Sequence, residues 1–149
     1  MRTVIFPGSF NPFTIGHADI VERALHLFER VVVAIGYNEQ KGNKADIEDR
    51  LNTVRSLYAQ ESRVEVISYS GLTVDAARQC GATAILRSVR SVKDYEYELQ
   101  MADVNRQLTG IDTIVLFARP ELACISSSVV RELQHFGQDT TRFLPNMKK

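Results

Sequence analysis

A chain of 149 residues with a formal net charge of zero has no bulk attraction to nucleic acid or to an anionic membrane. Any phosphate it binds must meet a local cluster of positive groups. Hydrophobic residues at 44% and charged residues at 24% are the proportions of a soluble globular protein, and a single domain spanning 1–149 is the simplest organisation. No apolar run approaches the roughly 18 residues of a membrane span, and the N-terminus lacks the apolar core of a signal peptide. Cys80 and Cys124 have no metal-ligand spacing; both are expected as small buried residues in a reducing cytoplasm.

In chain order, short Val/Ile-rich runs alternate with helix-period segments. Strands are predicted at Thr3–Phe6, Val31–Ile35, Val64–Ile67, Thr83–Leu86 and Thr113–Phe117. The first helical segment runs from Ala18 to Arg30, with Ile20, Val21, Ala24, Leu25 and Phe28 on its apolar face. A second carries Ile47, Leu51, Val54, Leu57 and Tyr58, with Asp46 as N-cap and Asp49 at a capping-box-like position. A third covers Thr73–Gln79, a fourth runs from about Asp94 to Leu108, and a fifth follows Ser126–Ser128 and ends near Gly137. Nearly continuous apolar strands alternating with helices predict an α/β fold: a doubly wound, five-stranded parallel sheet of Rossmann-like, nucleotide-binding type.

In such sheets ligands bind beyond the carboxyl ends of the strands. The segments there are Pro7–His17, Gly36–Lys44, Ser68–Thr73, Arg87–Arg90 and Ala118–Ser128. Pro7-Gly8-Ser9 and Gly16-His17 combine a tight turn, a hydroxyl and an imidazole at a helix N-terminus, where a phosphate can bind. Gly16 permits close backbone approach, and His17 can donate to phosphate oxygens. Lys41 sits in the polar loop after the second strand. Arg87 and Arg90 can supply forked, charge-assisted bonds to a phosphate, or can instead form surface salt bridges with Asp94, Glu96 or Glu98. Ser126-Ser127-Ser128 sets hydroxyls and free amides at a helix start with Arg131 one turn in, more than a single N-cap requires. Tyr95, Tyr97 and Met101 read as core or subunit packing.

The chain has no Gly-x-x-x-x-Gly-Lys-Ser/Thr, no Gly-x-Ser-x-Gly and no Gly-x-Gly-x-x-Gly. A P-loop ATPase, a serine hydrolase of elbow type and a dinucleotide-dependent dehydrogenase are therefore unsupported. The inventory is rich in phosphate donors and poor in nucleophiles. That suits phosphoryl or nucleotidyl transfer, in which the substrate phosphate itself attacks and the protein positions and stabilises charge.

Thr14-Ile15-Gly16-His17 fits the (H/T)-x-G-H motif, and Ile125–Arg131 fits the I-S-S-(T/S)-x-x-R motif, of a nucleotidyltransferase superfamily. With Arg87–Arg90, Asp94–Gln100 and Asn105-Arg106, the chain from Val4 to about Pro145 resembles the bacterial phosphopantetheine adenylyltransferase family. The resemblance implies transfer of AMP from ATP to 4′-phosphopantetheine, giving dephospho-CoA and pyrophosphate by in-line attack, with Mg²⁺ carried by the nucleotide. It implies catalytic roles for His17, Lys41 and Arg90. Ser9, Lys41, Thr73 and Arg87 would hold the phosphopantetheine. Ser9, Phe10, His17, Ser88, Val89, Arg90 and Glu98 would line the ATP site with Leu122, Ala123, Cys124, Ile125, Ser126, Ser127 and Ser128. It further implies a cytoplasmic homohexamer, without nucleic-acid or membrane partners, that can bind coenzyme A as a feedback ligand.

Some positions depart from the family's usual pattern. Ser9 stands for a common Thr, Asn11 for Asp, Ser88 for Gly and Leu122 for Trp; the loop around Ala45 lacks a common Phe, and the sequence stops short of a C-terminal helix found in longer relatives. The competing readings are a nicotinate or nicotinamide mononucleotide adenylyltransferase, which typically carries His where Thr14 stands, and a catalytically silent nucleotide-sensing module. A cytidylyltransferase ranks below the mononucleotide adenylyltransferase.

Overall fold

Strand β1 (Thr3–Gly8) is the central strand of the sheet, and its side chains are buried on both sides because helices cover both faces. The computed structural model describes residues 2–40 and 44–146. After β1 come α1 (Ile15–Ala24), β2 (Arg30–Gly36), α2 (Lys44–Leu57), β3 (Val64–Tyr69) and α3 (Thr73–Gln79). Then follow β4 (Ala84–Val89), α4 (Val92–Thr109), β5 (Asp112–Phe117) and α5 (Ser127–His135), with single 3₁₀ turns at Pro120–Leu122 and Thr141–Phe143. The five strands form one parallel sheet in the order β3-β2-β1-β4-β5, the expected α/β architecture.

Alternation along the strands divides the core in two. Val4, Phe6, Val31, Val33, Ile35 and Leu86 meet Ile20, Val21 and Ala24 of α1 and Leu51 and Val54 of α2 on one face. Ile5, Val32, Ala34 and Ile85 meet Val74, Ala76 and Ala77 of α3 on the other. The order in which strands are added reverses between β1 and β4, which remain parallel, so the crevice beyond their carboxyl ends is the topological switch point at which such folds bind ligands.

Helix boundaries differ from the periodicity in several places, and α1 already begins at Ile15 rather than Ala18, one turn earlier because Thr14 caps it. Helix α1 stops at Ala24 rather than running to Arg30: the Leu27 and Phe28 amides turn back onto the Ala24 carbonyl, and the Arg30 amide is taken by the Arg2 carbonyl as β2 begins. Phe28 still packs on the core, which is why its spacing imitates a helix. Asp46 is not an N-cap. It lies inside the first turn of α2, where it pairs with Arg50 at 3.1 Å. Helix α4 starts before Asp94, because the Ser91 hydroxyl caps it by accepting the Asp94 amide at 3.2 Å. The cysteines are also not buried: Cys80 is half-buried and Cys124 exposed.

Candidate active site

The turn from β1 to α1 owes its shape to three phenylalanines. Phe10 has φ 46°, a left-handed conformation unusual for a bulky residue, and its ring is only 3% exposed. The ring lies 5.2 Å from that of Phe6 and 5.3 Å from that of Phe13, and a Cβ at Gly8 would meet it at 3.0 Å. Gly8 thus leaves room for Phe10 to fold beneath the strand end. The Asn11–Pro12 peptide is cis.

Thr14 ends the turn and caps α1. Its hydroxyl accepts the His17 amide at 3.4 Å, while its own amide donates to His17 Nδ1 at 2.9 Å. This is a capping box with imidazole in the place of a carboxylate. The His17 ring packs edge-on against Phe10 at 4.9 Å and lies 5.3 Å from Phe13. Burial pulls its pKa from 6.5 down to about 4, and the nearby Arg90 and Arg87 guanidinium groups push in the same direction. The ring is therefore neutral at pH 7. Because Nδ1 accepts from Thr14, the proton resides on Nε2, and His17 is a hydrogen-bond donor without being a cation.

His17 faces a cavity of about 330 Å³ at the switch point. Ser9, Phe10, Arg87, Ser88, Arg90, Glu98, Leu122, Ile125 and Ser126–Ser128, all expected at the site, line it together with His17. Of the others, Val89 is buried at 5% exposure, and neither it, Ala123 nor Cys124 is among the lining residues. Phe10 lies chiefly in the core, so its backbone is the part best placed to meet a ligand. Thr73 is in an adjoining cavity of about 120 Å³ that shares Pro7, Arg87, Tyr97 and Glu98 with the first. Lys41 lies outside the described residues.

The arginines both line the cavity and form ion pairs. Arg87 lines both cavities, yet its Nε and Nη2 bind the carboxylate of Glu98, a residue 5% exposed, and its Nη1 donates to the Pro7 carbonyl at 2.7 Å. Arg90 pairs with Asp94 at 3.3 Å on the rim. Helix α5 points its N-terminus at the cavity. Ser126 caps it by accepting the Val129 amide at 3.1 Å, Ser127 donates to the Pro12 carbonyl at 2.7 Å, and Arg131 donates to the Asn11 carbonyl at 2.5 Å. The triple serine is thus divided between capping the helix, gripping the turn and lining the cavity.

Two lining residues gave no sequence signal. Asp19 of α1 binds Arg119 Nε at 2.8 Å and Arg23 at 3.3 Å, tying the segment after β5 to the first helix across one hundred residues of sequence. Tyr97 and Met101 are not core residues: they are 59% and 39% exposed and border the smaller cavity.

A cavity ringed by arginines, a neutral imidazole donor and a helix N-terminus, adjoining a smaller and less charged one, can hold a polyphosphate beside a second, longer substrate. Residues 5–133 match the Cytidylyltransferase-like family model. The chain is 50% identical over 145 residues to the phosphopantetheine adenylyltransferase of Bacteroides thetaiotaomicron, covering 97% of this chain and 96% of that protein. It is 53% identical to the one from Porphyromonas gingivalis, covering 95% and 92%.

The chain belongs to the phosphopantetheine adenylyltransferase family.

The Methylococcus capsulatus member is 45% identical, over 96% of this chain and 89% of its own. Among solved structures, a bifunctional NMN adenylyltransferase/ADP ribose pyrophosphatase from Francisella tularensis aligns with a TM-score of 0.70 at 16% identity, over 99% of this chain and 46% of that one. That likeness reports the nucleotidyltransferase fold. Sequence identity near one half over almost the full length of both proteins is what distinguishes the phosphopantetheine family from others sharing it.

Proposed function

We propose that this protein transfers AMP from ATP to 4′-phosphopantetheine, releasing pyrophosphate and forming dephospho-CoA for coenzyme A biosynthesis. The near-complete match to phosphopantetheine adenylyltransferases at about half identity carries the reading. The paired cavities joined at Arg87 support it. ATP occupies the larger, between the β1–α1 turn and the start of α5, and the pantetheine arm occupies the smaller. An oxygen of the acceptor phosphate attacks the α-phosphorus of ATP; its bond to phosphorus forms as the bond from that phosphorus to the pyrophosphate oxygen breaks.

No protein nucleophile is needed. Holding the two phosphates in line is worth roughly 7 to 11 kcal/mol. His17 Nε2–H, aimed at oxygens on which charge develops, adds about 3 to 4 kcal/mol by analogy with oxyanion-hole donors. A neutral donor suits this better than a cation, because it does not bind ground-state ATP as strongly as the transition state. Arg90 and the α5 N-terminus bind the nucleotide, and Arg87 with Ser9 and Thr73 holds the acceptor; Lys41 joins that set from outside the described residues. Asp19, Asp94 and Glu98, the carboxylates lining the cavities, are each engaged by an arginine. That donor set fits Mg²⁺ arriving on the ATP phosphates, where it neutralises charge, rather than a metal caged by protein.

The enzyme acts in the cytoplasm as a homohexamer. In support, Val92, Leu99 and Leu108 of α4 and Phe117 of the edge strand β5 are each more than half exposed, a large amount of apolar surface for a single chain to leave open. Among the described residues no helix is long and apolar enough to cross a membrane. Coenzyme A, which carries the same pantetheine arm, competes for the smaller cavity as a feedback ligand. Incubation with ATP, Mg²⁺ and either 4′-phosphopantetheine or nicotinate mononucleotide tests the assignment. Formation of dephospho-CoA with the first and no product with the second is expected. Reaction of the mononucleotide alone, or ATP binding without turnover of either acceptor, would overturn it.

A further inference from the structure

Four carbonyls of the segment Pro7–Pro12 are held by side chains from distant elements. Arg87 takes Pro7, Arg131 takes Asn11 and Ser127 takes Pro12, and all three of these donors line the cavity. The fourth donor is not a lining residue. Arg50 of α2 gives Nη1–H to the Ser9 carbonyl at 2.7 Å and pairs with Asp46 through Nη2 at 3.1 Å.

Stability alone accounts poorly for Arg50. Its side chain is only 16% exposed, and its Nε is buried with no hydrogen-bond partner. Burying a guanidinium with an orphaned N–H is unfavourable, and Asp46, at 55% exposure, returns little of that cost. An apolar side chain of similar volume would pack there more favourably. What only a cation of this reach supplies is a grip on the carbonyl next to Phe10, the residue held at φ 46°. A bulky residue persists in that conformation only where its surroundings impose it. Among the described residues the Ser9 and Phe10 amides have no acceptor, so the turn has four carbonyls held by side chains while these two N–H groups stay available.

We propose that Arg50 is a positioning residue for adenylyl transfer: by holding the Ser9 carbonyl it sets the turn that presents Ser9 and the Phe10 amide to the reacting phosphates. This rests on the adenylyl-transfer reading above. The test compares wild type, Arg50→Met, Arg50→Lys and Asp46→Asn at a temperature where circular dichroism shows each folded. Formation of dephospho-CoA is followed, and the Ser9 and Phe10 amide resonances are recorded. Arg50→Met should lower kcat by about ten- to a hundredfold, the scale of a small misplacement of reacting groups. It should change the KM for ATP far less and shift both resonances. Arg50→Lys, which keeps a cationic donor but on a single nitrogen, should recover part of the loss, and Asp46→Asn should stay close to wild type in rate and in both resonances. Wild-type kcat in Arg50→Met with unmoved resonances would overturn the proposal, as would equal losses in Arg50→Met and Asp46→Asn, which would make the ion pair the operative contact. Should Arg50→Met not fold, Arg50→Lys decides by the same two readouts. An inactive wild type would instead overturn the adenylyl-transfer reading, while the resonances would still report whether Arg50 holds the turn.

Discussion

The Thr14 amide donates to Nδ1 of His17 at 2.9 Å, and this one bond fixes which face of the imidazole meets the substrate. With Nδ1 committed as an acceptor, the neutral ring must carry its proton on Nε2. The helix cap and the candidate catalytic donor are the same device.

The first prediction concerns that proton. By NMR, His17 should titrate near pH 4 rather than 6.5. Since the unfolded chain takes up the proton at higher pH than the folded one, His17 lowers stability as pH falls from 6.5 to about 4 and contributes no pH dependence above that window. The unfolding midpoint of His17→Asn should therefore fall less steeply than that of wild type across the same range; parallel curves would contradict the assignment. The same variant should lose about a hundredfold or more in kcat with a smaller change in nucleotide affinity, as for a donor acting in the transition state.

Arg87 and Glu98 form a second testable unit. Arg87→Met strands a carboxylate whose side chain is 6% exposed and should destabilise the fold by about 2 to 3 kcal/mol, below the full cost of breaking a buried pair because Arg87 itself is 34% exposed. Adding Glu98→Leu should recover much of that stability but not the affinity for phosphopantetheine. Urea unfolding and acceptor KM, measured on both single variants and the double, would show additive losses if the pair were not coupled.

Asp19→Ala should act on the ATP side alone. Without its carboxylate, Arg119 and the segment leading to Ser126 lose their tie to α1, so KM for ATP should rise several-fold while acceptor KM stays near wild type. Equal changes in both constants would show that the contact positions the whole cavity.

Light scattering checks the exposed apolar residues of α4. Leu99→Asp, at a position 56% exposed, should cost the isolated chain little but should break the proposed homohexamer into smaller particles. An unchanged mass would place the subunit contacts elsewhere.

The class of fold was legible in the chain, since runs such as Val31–Ile35 are too short and too continuously apolar to be anything but central strands once helical periods alternate with them. That Ser9, His17, Arg87, Arg90 and Ser126–Ser128 lie around one cavity was also legible there, because the carboxyl end of each parallel strand lies on one rim. Local backbone chemistry was legible less well: Arg30 continued an apparent helical period, although its amide was destined for the Arg2 carbonyl. The burial of Glu98 against Arg87, the meeting of Asp19 with Arg119 and the reach of Arg50 to Ser9 emerge with the folded chain alone. Charged side chains carry no periodic signal, and each of these contacts joins residues from separate elements that approach one another only after the sheet has formed. The tautomer of His17 falls between the two. Its spacing from Thr14 is written in the chain, but the desolvation that keeps it neutral comes from Phe10 and Phe13 folding over it.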